Sequence, residues 1–159
     1  MKLAMKILSG IALAALLTQL SGCGSSDAAS YQISGASHSL SLLREKQLAW
    51  DSEWSVALVT TNNPECMRRN KLQPAPDGEF KADLYRSLEG NYILKQGNNW
   101  YVTETQKCRL QQFKEAPREP GNLLGSFEIK DDMLQFVPAA NPPVAAPAPQ
   151  NQERAPAPG

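Results

Sequence analysis

Reactive side chains are few in this chain of 159 residues, and their types limit the chemistry open to it. His38 is the only histidine. As the base of a Ser-His-Asp arrangement it would need a nucleophile and a carboxylate brought to it by the fold, and one imidazole does not make a histidine-rich metal site. A histidine at the start of a strand is more simply an exposed or capping side chain. Asp51, Glu53 and Glu104 are available for paired-carboxylate chemistry of the glycosidase type, which needs two carboxyl groups across one cleft. Nothing in their spacing places two of them together. There is no Cys-x-x-Cys pair for dithiol exchange and no glycine-rich phosphate loop. No catalytic residue, metal or cofactor is expected. Trp50, Trp54, Trp100 and Tyr101 are large enough to stack on a carbohydrate or peptide, but such residues more often fill a core. Trp54, in register with Val56 and Leu58, reads as core, which leaves Trp50 and Tyr101 as the aromatics expected at the surface.

The first cysteine stands in a different context. Lys2 and Lys6 precede an apolar run over residues 7–17 broken only by Ser9 and Gly10, and the small residues Ser21 and Gly22 lead into Cys23. This is the layout of a secretion leader, and the run is shorter than the roughly 20 apolar residues a membrane-spanning helix needs. The element Leu20-Ser21-Gly22-Cys23 resembles the lipobox of bacterial lipoproteins. The resemblance implies that residues 1–22 are removed, that the Cys23 thiol receives a diacylglycerol and that the new amine is acylated. Several chains on one residue make a stable anchor where a single chain holds only marginally. Gly24 follows, where an aspartate would resemble the signal that keeps lipoproteins in the inner membrane of Gram-negative bacteria. The expected address is therefore the outer membrane, lipid-anchored and facing the periplasm.

With Cys23 assigned to lipid by that resemblance, Cys66 and Cys108 remain as an even pair in an oxidising compartment, where a disulfide is the expected fate. Such a bridge would bring together two cationic blocks, Arg68, Arg69 and Lys71 beside Cys66 and Lys107 and Arg109 beside Cys108. These five are the candidate anion-binding residues, suited to phosphate or carboxylate groups of the envelope or of an acidic partner. The plainer alternative is a solvated loop neutralised by Glu65 and Glu104. Loss of Lys2 and Lys6 leaves 14 basic against 16 acidic side chains, so overall charge gives no sign of nucleic acid.

The 137 residues after the leader suffice for one domain. Residues 23–37 are rich in Gly, Ser and Ala with Asp27 as the sole charge, and read as a flexible tether. Residues 138–159 carry seven prolines and read as a disordered Pro/Ala-rich tail. Between them, residues 38–137 alternate at period two. Leu40 and Leu42, then Trp54, Val56 and Leu58, then Phe80, Ala82 and Leu84 each share one face of a strand. Tyr92 to Leu94 and Trp100 to Thr103 flank a Gly97-Asn98-Asn99 turn, and a last hairpin places Phe127, Ile129, Leu134 and Phe136 inward around Asp131-Asp132. Residues 110–121, with two prolines, read as an irregular crossing, and the weak helical pattern over 43–54 is equally a turn at Asp51-Ser52. The expectation is an all-β domain, a small antiparallel sandwich or barrel of six or seven strands.

The segments His38-Ser39-Leu40, Cys66-Met67-Arg68-Arg69, Trp100 to Thr105 with Cys108-Arg109, and Gly125-Ser126-Phe127 give the chain a resemblance to small Gram-negative outer-membrane lipoproteins of unassigned function. A second resemblance, through Glu89-Gly90-Asn91-Tyr92 and Lys95-Gln96-Gly97, is to lipoprotein lysozyme inhibitors, which insert a loop into a lysozyme cleft. The expected function is a non-enzymatic binding or structural module of the cell envelope. Its partners are the membrane, through Cys23, and an envelope protein or anionic envelope polymer, with no nucleic acid. The alternative is inhibition of a lysozyme-type or other cell-wall hydrolase.

Overall fold

The computed structural model describes residues 24–140. Within them the chain forms strands and no helix: β1 (Ser25–Gln32), β2 (His38–Lys46), β3 (Glu53–Asn62), β4 (Cys66–Lys71), β5 (Ala75–Pro76), β6 (Lys81–Arg86), β7 (Tyr92–Gln96), β8 (Asn99–Glu104), β9 (Arg109–Gln112), β10 (Asn122–Lys130) and β11 (Met133–Pro138). They make two antiparallel sheets. The first runs β1-β2-β3-β4 with β5 on β3, and the second runs β11-β10-β6-β7-β8-β9. The all-β antiparallel class is as expected, and two separate ladders with a shared interior make it a sandwich.

The alternation read from the sequence decides which side chains meet. Leu40, Leu42, Val56 and Leu58 from the first sheet face Ala82, Leu84, Leu94, Tyr101, Phe127 and Leu134 from the second, all buried. Burying one such leucine contributes about 1.5–3 kcal/mol. Two hairpin turns follow their chemistry. Gly97 takes a positive φ of 57° in the two-residue turn joining Gln96 to Asn99, and Asp131 and Asp132 take φ of 53° and 60° between Lys130 and Met133. Positive φ at both central residues is what a type I′ turn needs, as at Asp131-Asp132, whereas a glycine alone at the first central position, as at Gly97, suits type II′.

Polar contacts tie the sheets together where the chain crosses between them. Thr60 and Thr103 hydroxyls meet at 3.2 Å in the interior. Beyond β4, the Gln73 backbone N–H donates to the Tyr101 hydroxyl at 3.2 Å, and its carbonyl accepts from Gln96 Nε2 at 2.7 Å. These bonds fix the path into the second sheet. At one side of the sandwich β1 lies beside β11, where the Tyr31 ring sits 5.1 Å from Phe136 and 6.1 Å from Tyr92.

Three expectations need correction. The tether assigned to residues 23–37 is strand from Ser25, paired with β2 over eight residues from Ser25↔Lys46 to Gln32↔Ser39. Low hydrophobicity does not preclude a strand that needs only one partner: Asp27, Ala29 and Tyr31 face inward, and the small outward serines lie flat, Ser30 meeting Ser41 at 2.6 Å. The irregular crossing begins after β9, a short edge strand. The strand number, eleven, exceeds six or seven because β1, β4 and β9 are polar edge strands without the alternation that marks half-buried ones, and β5 is only two residues long. Residues 141–159 of the expected tail, the leader and Cys23 lie outside the described residues.

Asp27 provides a direct check on β1. Its carboxylate accepts from Arg44 Nη2 at 2.7 Å, and the Arg44 side chain is buried. Removing one partner of a buried ion pair leaves an uncompensated charge, which typically costs about 3–5 kcal/mol. Asp27→Ala should therefore lower unfolding free energy in urea by about that amount. A residue in a loose tether would show no change.

Candidate functional site

Cys66 opens β4 at the edge of the first sheet, and Cys108 ends the turn between β8 and β9 at the edge of the second. They form a disulfide with Cα atoms 6.0 Å apart, across a sequence separation of 42 residues. The bridge thus joins the two sheet edges on the side opposite the β1 and β11 contact. Glu104 shapes the turn: its carboxylate accepts the Lys107 backbone N–H at 3.0 Å and the Arg109 guanidinium at 3.1 and 3.3 Å.

The bridge brings the two cationic blocks to one region, but strand geometry points them in different directions. In the register Thr60↔Arg68 and Val59↔Arg69, Arg68 shares the side of β4 that carries Cys66, whereas Arg69 and Lys71 share the outer face of the first sheet. Arg69 is held by Glu45 at 2.6 Å, and Arg109 by Glu104. No ion pair holds Arg68, Lys71 or Lys107 among the described residues. Lys107 and Arg109 line an open groove of about 410 Å³ with Glu89, Asn91, Glu104 and Gln106. Of the five candidates, two are committed to carboxylates and three are free to meet a partner.

The remaining candidates separate. His38 begins β2, with its backbone closing the β1 to β2 turn. Asp51 and Glu53 lie past the other end of β2, roughly 25 Å away at 3.3 Å per residue. Asp51 accepts the Leu48 backbone N–H at 2.9 Å and so serves its own turn. Glu104 stands on the second sheet beside the disulfide. The fold brings none of these together, and among the described residues no group of three His, Cys, Asp or Glu side chains is placed to hold a metal.

The aromatic reading is half corrected. Trp50 is exposed, but Tyr101 is only 3% exposed and belongs to the core. Trp100 is the one that faces out, because neighbours along a strand alternate. On the outer face of the second sheet the Trp100 ring lies 5.9 Å from Tyr85 and 5.3 Å from the Lys95 ammonium.

One cluster has no counterpart in the sequence reading. Arg44 and Lys46 continue the inward face of β2 and are only 4% and 8% exposed. Their charges are tolerable because partners lie alongside. Arg44 sits between the Trp54 and Phe80 rings, 4.3 and 5.3 Å from their centroids, with Asp27 on its Nη2. Lys46 donates to Asp77 at 2.7 Å, and Trp54 Nε1 donates to the same carboxylate at 2.8 Å. The outward serines at Ser39 and Ser41 gave β2 an apparent alternation of Leu and polar residues, but only registry with Asp27 and Trp54 reveals that its last two cations point inward.

No protein-family model matches the chain, and no curated protein or solved structure is significantly similar to it.

Two measurements follow from this geometry. Reducing the disulfide reopens a loop of 42 residues, which on chain entropy costs about 4 kcal/mol. Urea unfolding with and without reductant should differ by roughly that amount, and a Cys66→Ser/Cys108→Ser variant should lose its response to reductant. Asp77 is held below its ordinary pKa of 3.8 by the hydrogen bond from Lys46 and then that from Trp54. A carboxyl whose pKa is depressed by folding stabilises fully above the unfolded value, and that stabilisation fades as pH falls through the folded value. Stability of the parent should therefore fall more steeply below about pH 4 than that of Asp77→Asn, which does not titrate.

Proposed function

We propose that this chain is a lipid-anchored protein of the outer membrane that acts in the periplasm as a non-enzymatic binding module. The observation that carries the reading is the Cys66–Cys108 disulfide, which stabilises the closure of the sandwich and requires an oxidising compartment. Export is what the leader of residues 1–22 supplies, and the lipobox resemblance adds the anchor at Cys23. No helix among the described residues is long and apolar enough to cross a membrane.

The recognition surface lies at the disulfide end. Arg68 and Lys107 are cations without an ion pair among the described residues, gathered by the bridge on a chain of near-neutral charge, while Lys71 stands apart at the far end of β4 on the outer face. Exposed cations of this kind suit carboxylate or phosphate groups on an envelope polymer or an acidic envelope protein. Their contribution is screened over about 8 Å at physiological salt, so binding weakens as salt rises.

The test uses mature protein purified from membranes. Binding to an anionic envelope fraction should fall with salt and be lost in Arg68→Glu/Lys107→Glu, a variant that spares the Arg69–Glu45 and Arg109–Glu104 pairs. Equal binding by a folded variant at low salt would remove the cations from the function. Cys23→Ala should abolish cleavage or release the domain from washed membranes, and a cleaved, membrane-retained Cys23→Ala protein would refute the anchor.

A further inference from the structure

β1 begins two residues after Cys23, and the start of the fold is not free to drift. A Cβ on Gly24 would collide with the Lys46 carbonyl and approach the Gln47 carbonyl to 3.3 Å, so its backbone rests against the connection leaving β2. Cys23 lies one peptide further, at a Cα spacing of about 3.8 Å. The strand that follows Cys23 therefore starts against residues 46 and 47, where the connection from β2 to β3 begins.

That connection is a built turn. The Asp51 backbone N–H donates to the Leu48 carbonyl at 3.1 Å, and the Asp51 carboxylate accepts the Leu48 N–H at 2.9 Å. The turn presents Trp50 at 80% exposure and Leu48 at 41%. Trp50 lies three residues from Gln47, hence within about 11 Å of it along the chain. A tryptophan so open to water is costly unless its apolar face finds another environment, and the headgroup level of a bilayer is where such rings collect. Met133, also exposed, lies at the same end, since Asp77 bonds Lys46 and Trp54 while the Ile129 N–H donates to the Phe80 carbonyl next to the β10 to β11 turn.

We propose that Leu48 and Trp50, in the turn between β2 and β3, form a second membrane contact that seats the sandwich on the phospholipid bilayer anchoring Cys23. The proposal rests on the lipid anchoring of Cys23 proposed above. It fixes the orientation: β2 spans roughly 25 Å at 3.3 Å per residue, so the disulfide end points away from the bilayer, toward partners. It also fixes the kind of contact. Asp77 is paired with Lys46, but Asp51, Glu53, Glu79, Asp131 and Asp132 outnumber Lys81 and Lys130 at the membrane end, so the contact is apolar and gains nothing from anionic lipid. Unlike binding at the cationic end, it is not weakened by salt.

The experiment takes full-length mature protein, first identifying its N-terminal peptide by mass, and reconstitutes it in phosphatidylcholine vesicles with and without brominated chains. Bromolipid should quench about one third of the tryptophan emission, the share of one of three tryptophans. That quenching should vanish in Trp50→Phe and persist in high salt and with added phosphatidylglycerol. Trp50 is exposed, so the substitution leaves the fold intact. An acylated peptide with no quenching, or with equal quenching in Trp50→Phe, would overturn the second contact alone. An N-terminal peptide without lipid would overturn the anchor and this inference with it.

Discussion

Two sheets with open edges form a stable body only if the edges are closed, and in this protein one closure is covalent. The Cys66–Cys108 bridge ties the β4 edge to the turn beside β9, while across the molecule Tyr31 packs between Phe136 and Tyr92 where β1 meets β11. Exposed strand edges are templates for pairing with other chains, and both devices cover them without a hydrogen-bonded ladder between the sheets. A domain of this size has little stability to spare, so a crosslink of about 4 kcal/mol is a large share of the total.

The same bridge makes the surface chemistry. Cations separated by about 40 residues become neighbours only because their cysteines do. Strand alternation then divides them, turning Arg68 toward the bridged side and Arg69 and Lys71 to the outer face. Ion pairs divide them again, since Glu45 and Glu104 occupy Arg69 and Arg109. What is left for a partner is smaller than the count of basic residues implies.

At the opposite end the interior itself is charged. Arg44 and Lys46 occupy inward positions that an apolar pair would fill with less desolvation cost, and they are held by Asp27, Asp77 and the Trp54 ring. Both carboxylates come from segments distant in sequence, one in β1 and one after β5. The cluster therefore docks β1 and the crossing chain onto β2 at the end where the N-terminus enters.

The sequence alone determined the strand class, the inward residues of β2, β3, β6 and β10, and the turns at Gly97 and Asp131-Asp132, because half-buried strands and positive-φ turns write their geometry into local residue order. The expected pairing of Cys66 with Cys108 is the one the structure shows. Only the tertiary structure decided that the Ser- and Ala-rich segment at Ser25–Gln32 is a strand, since an edge strand draws its stability from a partner and needs no apolar pattern of its own. Tyr101 went inward and Trp100 outward for a related reason: an unbroken aromatic pair does not announce its phase, which is set by registry with Leu94 and Lys95 on β7. The inward Arg44 and Lys46, and the capture of Arg69 by Glu45, depend on partners more than 15 residues away, and pairing at that distance is a property of the fold rather than of any window of sequence, whereas the Arg109–Glu104 pair spans only five residues and was legible locally.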